Sequence, residues 1–165
     1  MDFLEMSFSE CIQRVLDAQK AEIYKNRINN IINLQLEKCD EDNRMWADFT
    51  YTKQEMFLNP YNGVHGGIAC VLADTCMGMT VSASIQTPPS TTDLQVSYLA
   101  PMQGETFRIH ADIRKVGKQL VGTTCEIWDI DSGKLCLTAM AKYMLVKKNI
   151  LADKGASRLM KEEHQ

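Results

Sequence analysis

One stretch of this 165-residue chain, residues 59–78, carries the groups best suited to chemistry. It begins as a loop and becomes a helical pattern that is apolar nearly all round, which is typical of a helix inside a fold. Asp74 is the single charge in that helical pattern. Because a lone carboxylate among apolar residues is costly unless it is paired or hydrogen-bonded, we expect Asp74 to have a function. A carboxylate at such a site can activate water or attack a carbonyl carbon.

The start of the helical pattern, His65-Gly66-Gly67, offers hydrogen-bond donors. A helix N-terminus has unpaired N–H groups and the positive end of the helix dipole, and glycine lets a ligand approach the backbone closely. The N–H of Gly66 and the side chain of Asn59 could therefore stabilise negative charge on a carbonyl oxygen under attack. Asp74 lies about two turns beyond Gly67, roughly 10 Å by helical rise, which favours a site assembled from two chains.

Each of these residues also has a structural interpretation, which the sequence leaves open. The two glycines could simply form a tight loop-to-helix turn, and His65 could fix the entry to the helix. Asp74 could be a structural carboxylate bonded to the hydroxyl of Thr75 or Thr91. Thr91 itself could be an ordinary strand hydroxyl.

Composition excludes several classes of function. The net charge is −3 and no run of five or more basic residues occurs, so we expect no nucleic-acid partner. We expect no membrane span, because the apolar segment is interrupted by Asp74 and is rich in Thr and Ser. The acidic N-terminus lacks the basic region of a signal peptide, which favours a cytoplasmic protein. The six cysteines form no CxxC pair, so we expect buried reduced thiols and no metal.

The remaining patterns predict an α+β domain. Residues 7–30 are expected to form an amphipathic helix packed on the outside of the domain, or alternatively a lid over a ligand groove. A strand hairpin precedes the apolar helix, and Pro88 and Pro89 end that helix. Four strands are then expected as an antiparallel meander, at residues 92–99, 106–116, 119–130 and 135–146. We predict a curved antiparallel sheet wrapped around the central helix over residues 31–148, followed by a charged tail, 149–165.

The motif that runs from Asn59 through His65-Gly66-Gly67 to Asp74, and on to the stretch 91–101 (TTDLQVSYLAP), resembles the hotdog-fold acyl-CoA thioesterases. The phenylacetyl-CoA thioesterase-like subgroup is the most similar. The resemblance covers about residues 45–146 and implies the hotdog fold. It also implies a homodimer or a dimer of dimers, with each active site shared between two subunits. The implied substrate is an acyl-CoA, with no metal and no other cofactor.

The resemblance assigns roles by motif position. The Gly66 N–H and Asn59 polarise the thioester carbonyl, and Asp74 activates water or attacks the thioester. Thr91 lies beside that carboxylate, and His65 is a supporting group near the leaving thiolate or the substrate loop.

Coenzyme A carries phosphates, so a basic rim is expected around its site. Arg114, Lys115 and Lys118 cluster at one hairpin and could contact these phosphates, although a charge cluster at a turn is often merely solvated. Gly67 is expected to contact the substrate at the helix start. Met and Phe side chains indicate an adaptable apolar acyl pocket; these are Met56, Phe57, Met77 and Met79.

The function predicted from these patterns is hydrolysis of an acyl-CoA to a carboxylate and free CoA. A first alternative is a non-catalytic hotdog domain that binds acyl-CoA or an acyl carrier. A second alternative is a hydratase or dehydratase on the same fold. Such enzymes usually need a histidine in the catalytic pair, and His65 is the available candidate here.

Overall fold

The computed structural model of the protein describes residues 6–145, in which six antiparallel strands surround one long helix. The helices are α1 (Phe8–Gln19), α2 (Ile28–Ile31) and α3 (Gly66–Ile85). The strands are β1 (Gln35–Cys39), β2 (Trp46–Thr52), β3 (Pro89–Tyr98), β4 (Thr106–Val116), β5 (Leu120–Asp129) and β6 (Lys134–Leu145). Short 3₁₀ turns occupy Glu22–Tyr24 and Glu55–Phe57. The predicted fold class, a curved sheet around a central helix, is confirmed.

The order of the strands across the sheet is β1-β2-β4-β5-β6-β3. The prediction of a simple four-strand meander is therefore wrong for β3, which pairs with β6 rather than with β4. The physical reason is the crossing by α3: a helix of 20 residues is ~30 Å long and carries the chain from β2 to the far edge of the sheet. One side of β3 is consequently the open edge of the sheet in the protomer.

Helix α3 forms the centre of the core. It begins at Gly66, ends before Gln86, whose φ of 56° is left-handed, and is followed by Pro88 and Pro89. By length and composition alone this helix could cross a membrane, contrary to the expectation from the sequence. Half of this apolar helical segment is buried inside the fold, and residues such as Leu72 and Cys76 are fully buried. The strands of the sheet and α1 cover the buried half of this helix.

Buried side chains at alternate positions along the strands form the rest of the core. In β2, Ala47, Phe49 and Tyr51 are fully buried against the helix side of the sheet. In β4 the buried series is Phe107, Ile109, Ala111 and Ile113. Full burial of a Phe or Ile side chain contributes ~1.5–3 kcal/mol, so this face holds the sheet on α3.

Helix α1 packs on the outside of this core. Ser7 and Glu10 form a complete capping box, and one face of the helix is buried through Phe8, Cys11, Ile12 and Leu16. The helix ends at Gln19, shorter than the predicted 7–30. The apolar pattern fails beyond that point, as Ile23 is 59% exposed, so no further helical turn can be anchored by packing. The predicted tail 149–165 lies outside the described residues.

All six cysteines are free thiols. Four of them, Cys11, Cys76, Cys125 and Cys136, are buried, while Cys39 and Cys70 are partly exposed. Among residues 6–145, no group of three His, Cys, Asp or Glu side chains is placed to hold a metal ion.

Candidate active site

The Asp74 carboxylate is half-buried at the middle of α3 and is held by two hydroxyl groups. The Thr91 hydroxyl donates to Asp74 Oδ1 at 2.9 Å, and the Tyr143 hydroxyl lies 2.9 Å from the same oxygen. Thr91 and Tyr143 are directly paired across β3 and β6, so the register of these two strands places both hydroxyls over the carboxylate. The structure thus brings Asp74 and Thr91 together, as the motif implies.

Tyr143 is a site residue that the sequence analysis did not single out. Its hydroxyl also lies 2.8 Å from the backbone carbonyl of Asp74. Burial, followed by the charge of Asp74, raises the pKa of Tyr143 well above its ordinary value, so the hydroxyl stays protonated and serves as a donor. The signal available in the sequence was a tyrosine at an inward position of β6, where a hydroxyl needs a polar partner.

The start of α3 provides the candidate donor for an oxyanion. Within residues 6–145, no contact gives the Gly66 N–H an acceptor, as expected for the first residue of a helix. The Gly67 N–H differs, because it donates to His65 Nδ1 at 3.0 Å. His65 therefore caps the helix with its ring, and the Gly67 N–H, predicted to contact substrate, is already paired.

Asn59 is held in the loop so that its amide orientation is defined. Its Oδ1 accepts hydrogen bonds from the backbone N–H groups of Tyr61, at 2.9 Å, and Gly63, at 3.2 Å. No residue in the described part of the chain, 6–145, bonds to the side-chain NH₂ group, so it can donate to a ligand. Asn59 and Gly66 line the same cavity, of about 360 Å³, so the structure brings these two predicted donors together.

Tyr98 is a second residue that the sequence reasoning missed. Its hydroxyl donates to the carbonyl of Gly66 at 2.7 Å and lies 2.9 Å from Cys70 Sγ. Burial, then the contact with Cys70, raises the pKa of Tyr98 to about 12. The peptide between Gly66 and Gly67 is thus fixed at both polar atoms, the C=O by Tyr98 and the N–H by His65.

The two halves of the candidate site occupy separate cavities in one protomer. Asp74, Thr91 and Tyr143 line a cavity of about 280 Å³, and its lining shares no residue with the cavity of Asn59 and Gly66. Gly66 and Asp74 are ~12 Å apart by helical rise. A base and a set of oxyanion donors are therefore present, but a single small group cannot contact both within one chain.

The three predicted phosphate-binding residues have different surroundings in the structure. Arg114 is paired with Asp112 at 2.7 Å. Lys115 and Lys118 line a cavity of about 550 Å³, together with Lys142. Since Lys142 precedes the inward-facing Tyr143 on β6, this basic cavity lies on the opposite face of the sheet from Asp74.

The predicted apolar acyl pocket is only partly recovered. Met79 lines the Asp74 cavity, whereas Met77 is fully buried in the core and Met56 is 68% exposed. Phe57 packs at the edge of the core. The rest of the Asp74 cavity is more polar than the sequence suggested.

Comparison with known sequences gives matches to part of the chain. A sequence model of the thioesterase superfamily matches residues 61–136, which include the segment from His65 to Asp74 and the stretch 91–101. A Caenorhabditis elegans protein named as an esterase, F42H10.6, is 31% identical over 94 residues. That match covers 56% of this chain and 54% of the relative, so the chain spans about half the length of this curated relative.

Solved structures show the same fold over most of the chain. Mouse thioesterase superfamily member 2 superposes with a TM-score of 0.72 at 21% identity, covering 86% of this chain and 99% of that one. The Escherichia coli PaaI protein, from the phenylacetic acid degradation operon, gives a TM-score of 0.70 at 21% identity, covering 86% and 97%. Residues 61–136 match the thioesterase superfamily, and the chain that contains them has the hotdog fold, as the motif resemblance predicts.

Proposed function

We propose that the protein is a thioester hydrolase that cleaves an acyl-CoA to a carboxylate and free CoA. The observation that carries this proposal is the Asp74 carboxylate, oriented by the hydroxyls of Thr91 and Tyr143 at the mouth of a cavity. A carboxylate fixed in this way can accept a proton from water or act as a nucleophile. Asp74 also lies within the segment that matches the thioesterase superfamily, and this similarity supports a thioester as the substrate class.

In the water-activated route, the carboxylate accepts a proton from water while the water oxygen attacks the carbonyl carbon. The carbon–sulfur bond then breaks, and the CoA thiolate leaves and is protonated. In the nucleophilic route, the Asp74 oxygen attacks the carbonyl carbon first, and the carbon–sulfur bond breaks as the CoA thiolate leaves and is protonated. Water then hydrolyses the resulting mixed anhydride to the acyl carboxylate and the free Asp74 carboxylate. A single turnover in ¹⁸O-water tests for the nucleophilic route, because label enters Asp74 when water attacks the Asp74 carboxyl carbon of the anhydride, whereas the water-activated route leaves Asp74 unlabelled.

The oxyanion formed in either route needs donors. The Gly66 N–H and the Asn59 amide supply them, and removal of one such donor commonly costs ~3–4 kcal/mol of transition-state stabilisation. Because these donors and Asp74 face different cavities in one protomer, we propose that the site combines Asp74 of one subunit with Gly66 and Asn59 of another.

A homodimer follows from this arrangement, and a dimer of dimers is compatible with it. The edge strand β3 carries both Thr91 and Tyr98, one from each half-site. Pairing of two β3 edges would extend the sheet and cover the unpaired backbone groups of that strand. It would also place the Asp74 half of one chain beside the Gly66 half of the other.

The remaining parts of the proposal concern CoA itself. Lys115 and Lys118 are the basic groups proposed to meet its phosphates, whereas Arg114 is engaged with Asp112. The proposed reaction uses no metal, no further cofactor, no nucleic acid and no membrane. A cytoplasmic location, where acyl-CoA is available, is part of the same proposal.

The test is release of free CoA from acetyl-, hexanoyl-, palmitoyl-, phenylacetyl- and hydroxybenzoyl-CoA. Wild type and Asp74→Ala are compared, and CoA is quantified by chromatography because the partly exposed thiols of Cys39 and Cys70 would react with a thiol reagent. We expect turnover that falls at least ~100-fold in the variant, as for loss of a general base. Tight binding of acyl-CoA without turnover in wild type would instead identify an acyl-binding domain, and full activity of Asp74→Ala would exclude this mechanism.

A further inference from the structure

The cavity beside Asp74 continues along α3, away from the helix N-terminus. Asp74, Gly78 and Ser82 all line it, and their spacing of four residues places them in one row along the helix. The ring of Tyr143 packs over Gly78, 3.5 Å from where a Cβ would lie, and forms part of the lining between the carboxylate and Ser82. The row from Asp74 to Ser82 is ~12 Å long by helical rise.

The facing wall of this cavity comes from the N-terminal segment, which lies outside the superfamily match. Val15 and Gln19 of α1 and Asn29 of α2 line it. This wall is fixed in place, because α1 is anchored through its buried face and the Asn30 side chain donates to the Gln19 carbonyl at 2.9 Å. The N-terminal segment thus forms a permanent wall of the cavity beside Asp74.

Three polar side chains in this cavity have hydrogen-bonding groups to spare. Asn29 Oδ1 accepts from the Thr75 hydroxyl at 3.4 Å, which leaves its NH₂ group available. In the part of the chain from 6 to 145, neither the Gln19 amide nor the Ser82 hydroxyl has a side-chain hydrogen-bond partner. All three residues are half-buried, so a ligand that fills the cavity would remove their remaining contact with water.

We propose that this cavity selects acyl groups that carry a hydrogen-bonding group, with Gln19, Asn29 and Ser82 as the residues that determine specificity. The proposal rests on the thioesterase function proposed above. A plain alkyl chain would leave these polar groups buried without partners, whereas a terminal hydroxyl or carbonyl would bond to them. Sites built to bond a polar substrate group discriminate strongly against the analogue that lacks it.

The experiment compares hexanoyl- and octanoyl-CoA with their ω-hydroxy counterparts. We expect wild type to favour an ω-hydroxy substrate by at least ~10-fold in kcat/KM. Gln19→Leu and Asn29→Leu should reduce that ratio to about one, and a cooperative thermal unfolding transition shows that the variants fold. Gln13→Leu and Asn26→Leu make the same changes at exposed positions outside the cavity and should leave the ratio unchanged.

Two results would overturn the proposal: no preference in wild type, or an unchanged ratio in both cavity variants. Binding of the same ligands to Asp74→Asn, measured by calorimetry, separates this proposal from the proposed reaction. If wild type hydrolyses no thioester but Asp74→Asn still prefers an ω-hydroxy ligand, the cavity assignment stands and the hydrolase does not. Equal binding of both ligand types, together with no turnover, would exclude both the cavity assignment and the hydrolase function.

Discussion

The hydroxyl of Tyr143 lies within 2.9 Å of both the backbone carbonyl and the carboxylate of Asp74. A residue of the last strand therefore fixes a residue at the middle of the central helix, 69 positions earlier in the chain. With Thr91 on the other strand of the pair, it restricts the carboxylate to one orientation. The acid group of this fold is positioned by the sheet and not by its own helix.

Loss of the Tyr143 hydroxyl should impair turnover more than binding. A hydrogen bond to a charged group contributes ~1.5–3 kcal/mol, so Tyr143→Phe should lower kcat on the order of 10- to 100-fold, with KM changed little. Steady-state kinetics on the best substrate of the panel measure this. Tyr51→Phe is the matched control, since Tyr51 is also fully buried but lies outside the Asp74 cavity. Equal effects of the two changes would assign Tyr143 a packing role alone.

Position 66 allows the backbone donor to be removed without loss of the helix. Proline is accepted at the first position of a helix, and His65 before it already has the extended conformation that proline requires, with φ −59° and ψ 135°. Gly66→Pro should lower kcat by ~100- to 1,000-fold, the usual effect of losing an oxyanion donor.

Gly66→Ala distinguishes the effect of losing the N–H donor from the effect of adding side-chain atoms at position 66. Both substitutions place a Cβ 3.4 Å from the Tyr98 ring, but only alanine keeps the N–H. We expect Gly66→Ala to retain at least ~10% of wild-type turnover, if loss of the donor is the dominant effect. Comparable losses in the two variants would show that the bulk, and not the N–H, is responsible.

Tyr98 should act as a positioning residue for the same donor. Tyr98→Phe keeps the ring against Gly66 and removes the hydrogen bond to its carbonyl, so we expect kcat to fall ~10-fold with KM unchanged. Cys70→Ser retains a hydroxyl partner for Tyr98 and should have little effect. Tyr61→Phe, at a side chain that is 82% exposed, controls for the chemistry of the change. A raised KM with normal kcat would contradict the positioning role.

A second ionisable pair, on the outer face of the sheet, predicts how stability depends on pH. His110 Nδ1 lies 2.6 Å from Asp48 Oδ1, and Asp48 is nearly fully buried. The hydrogen bond to Asp48 raises the pKa of His110 above 6.5 against the opposing effect of burial, with help from the charges of Asp112 and Glu126. The bond to His110, and the charges of Lys38 and Arg108, lower the pKa of Asp48 despite its burial.

A group with a raised folded-state pKa stabilises the fold below its unfolded value and loses that effect as pH rises through the folded value. His110 should therefore make the protein more stable at pH 6 than at pH 8. The lowered pKa of Asp48 should cost stability as pH falls below about 3.8. Thermal unfolding across this range, with His110→Gln compared, is the measurement. A Tm difference between pH 6 and pH 8 that is the same in wild type and variant would exclude the pair as its source.

Local signals in the sequence were sufficient to predict much of this fold. The apolar run from Gly66 to Ile85, ended by Pro88 and Pro89, defines the central helix because both its composition and its stop signal are contiguous in the chain. Gly133, with a φ of 69°, lies in the turn between the predicted strands 119–130 and 135–146, and glycine is likewise a local turn signal. Asp74 stood out because a single charge in an apolar helix needs partners.

The partners themselves could not be read from local patterns. Tyr143 reaches Asp74 only because β3 pairs with β6, and that pairing depends on where the helix α3 delivers the chain. Tyr98 is exposed at the sheet edge in the protomer, and nothing in its neighbourhood in sequence connects it with Gly66. The polar lining of the Asp74 cavity arises from Gln19 and Asn29, whose proximity depends on where α1 ends.

The most direct test of the shared site mixes two inactive proteins. Asp74→Asn and Gly66→Pro subunits are unfolded together, refolded and assayed for CoA release. In a two-chain site of a symmetric dimer, half of the dimers are mixed, and each mixed dimer holds one intact site and one doubly altered site. We predict recovery of about a quarter of wild-type activity. If each chain carries its own complete site, every site retains one defect, and no recovery above the separate variants would contradict the account.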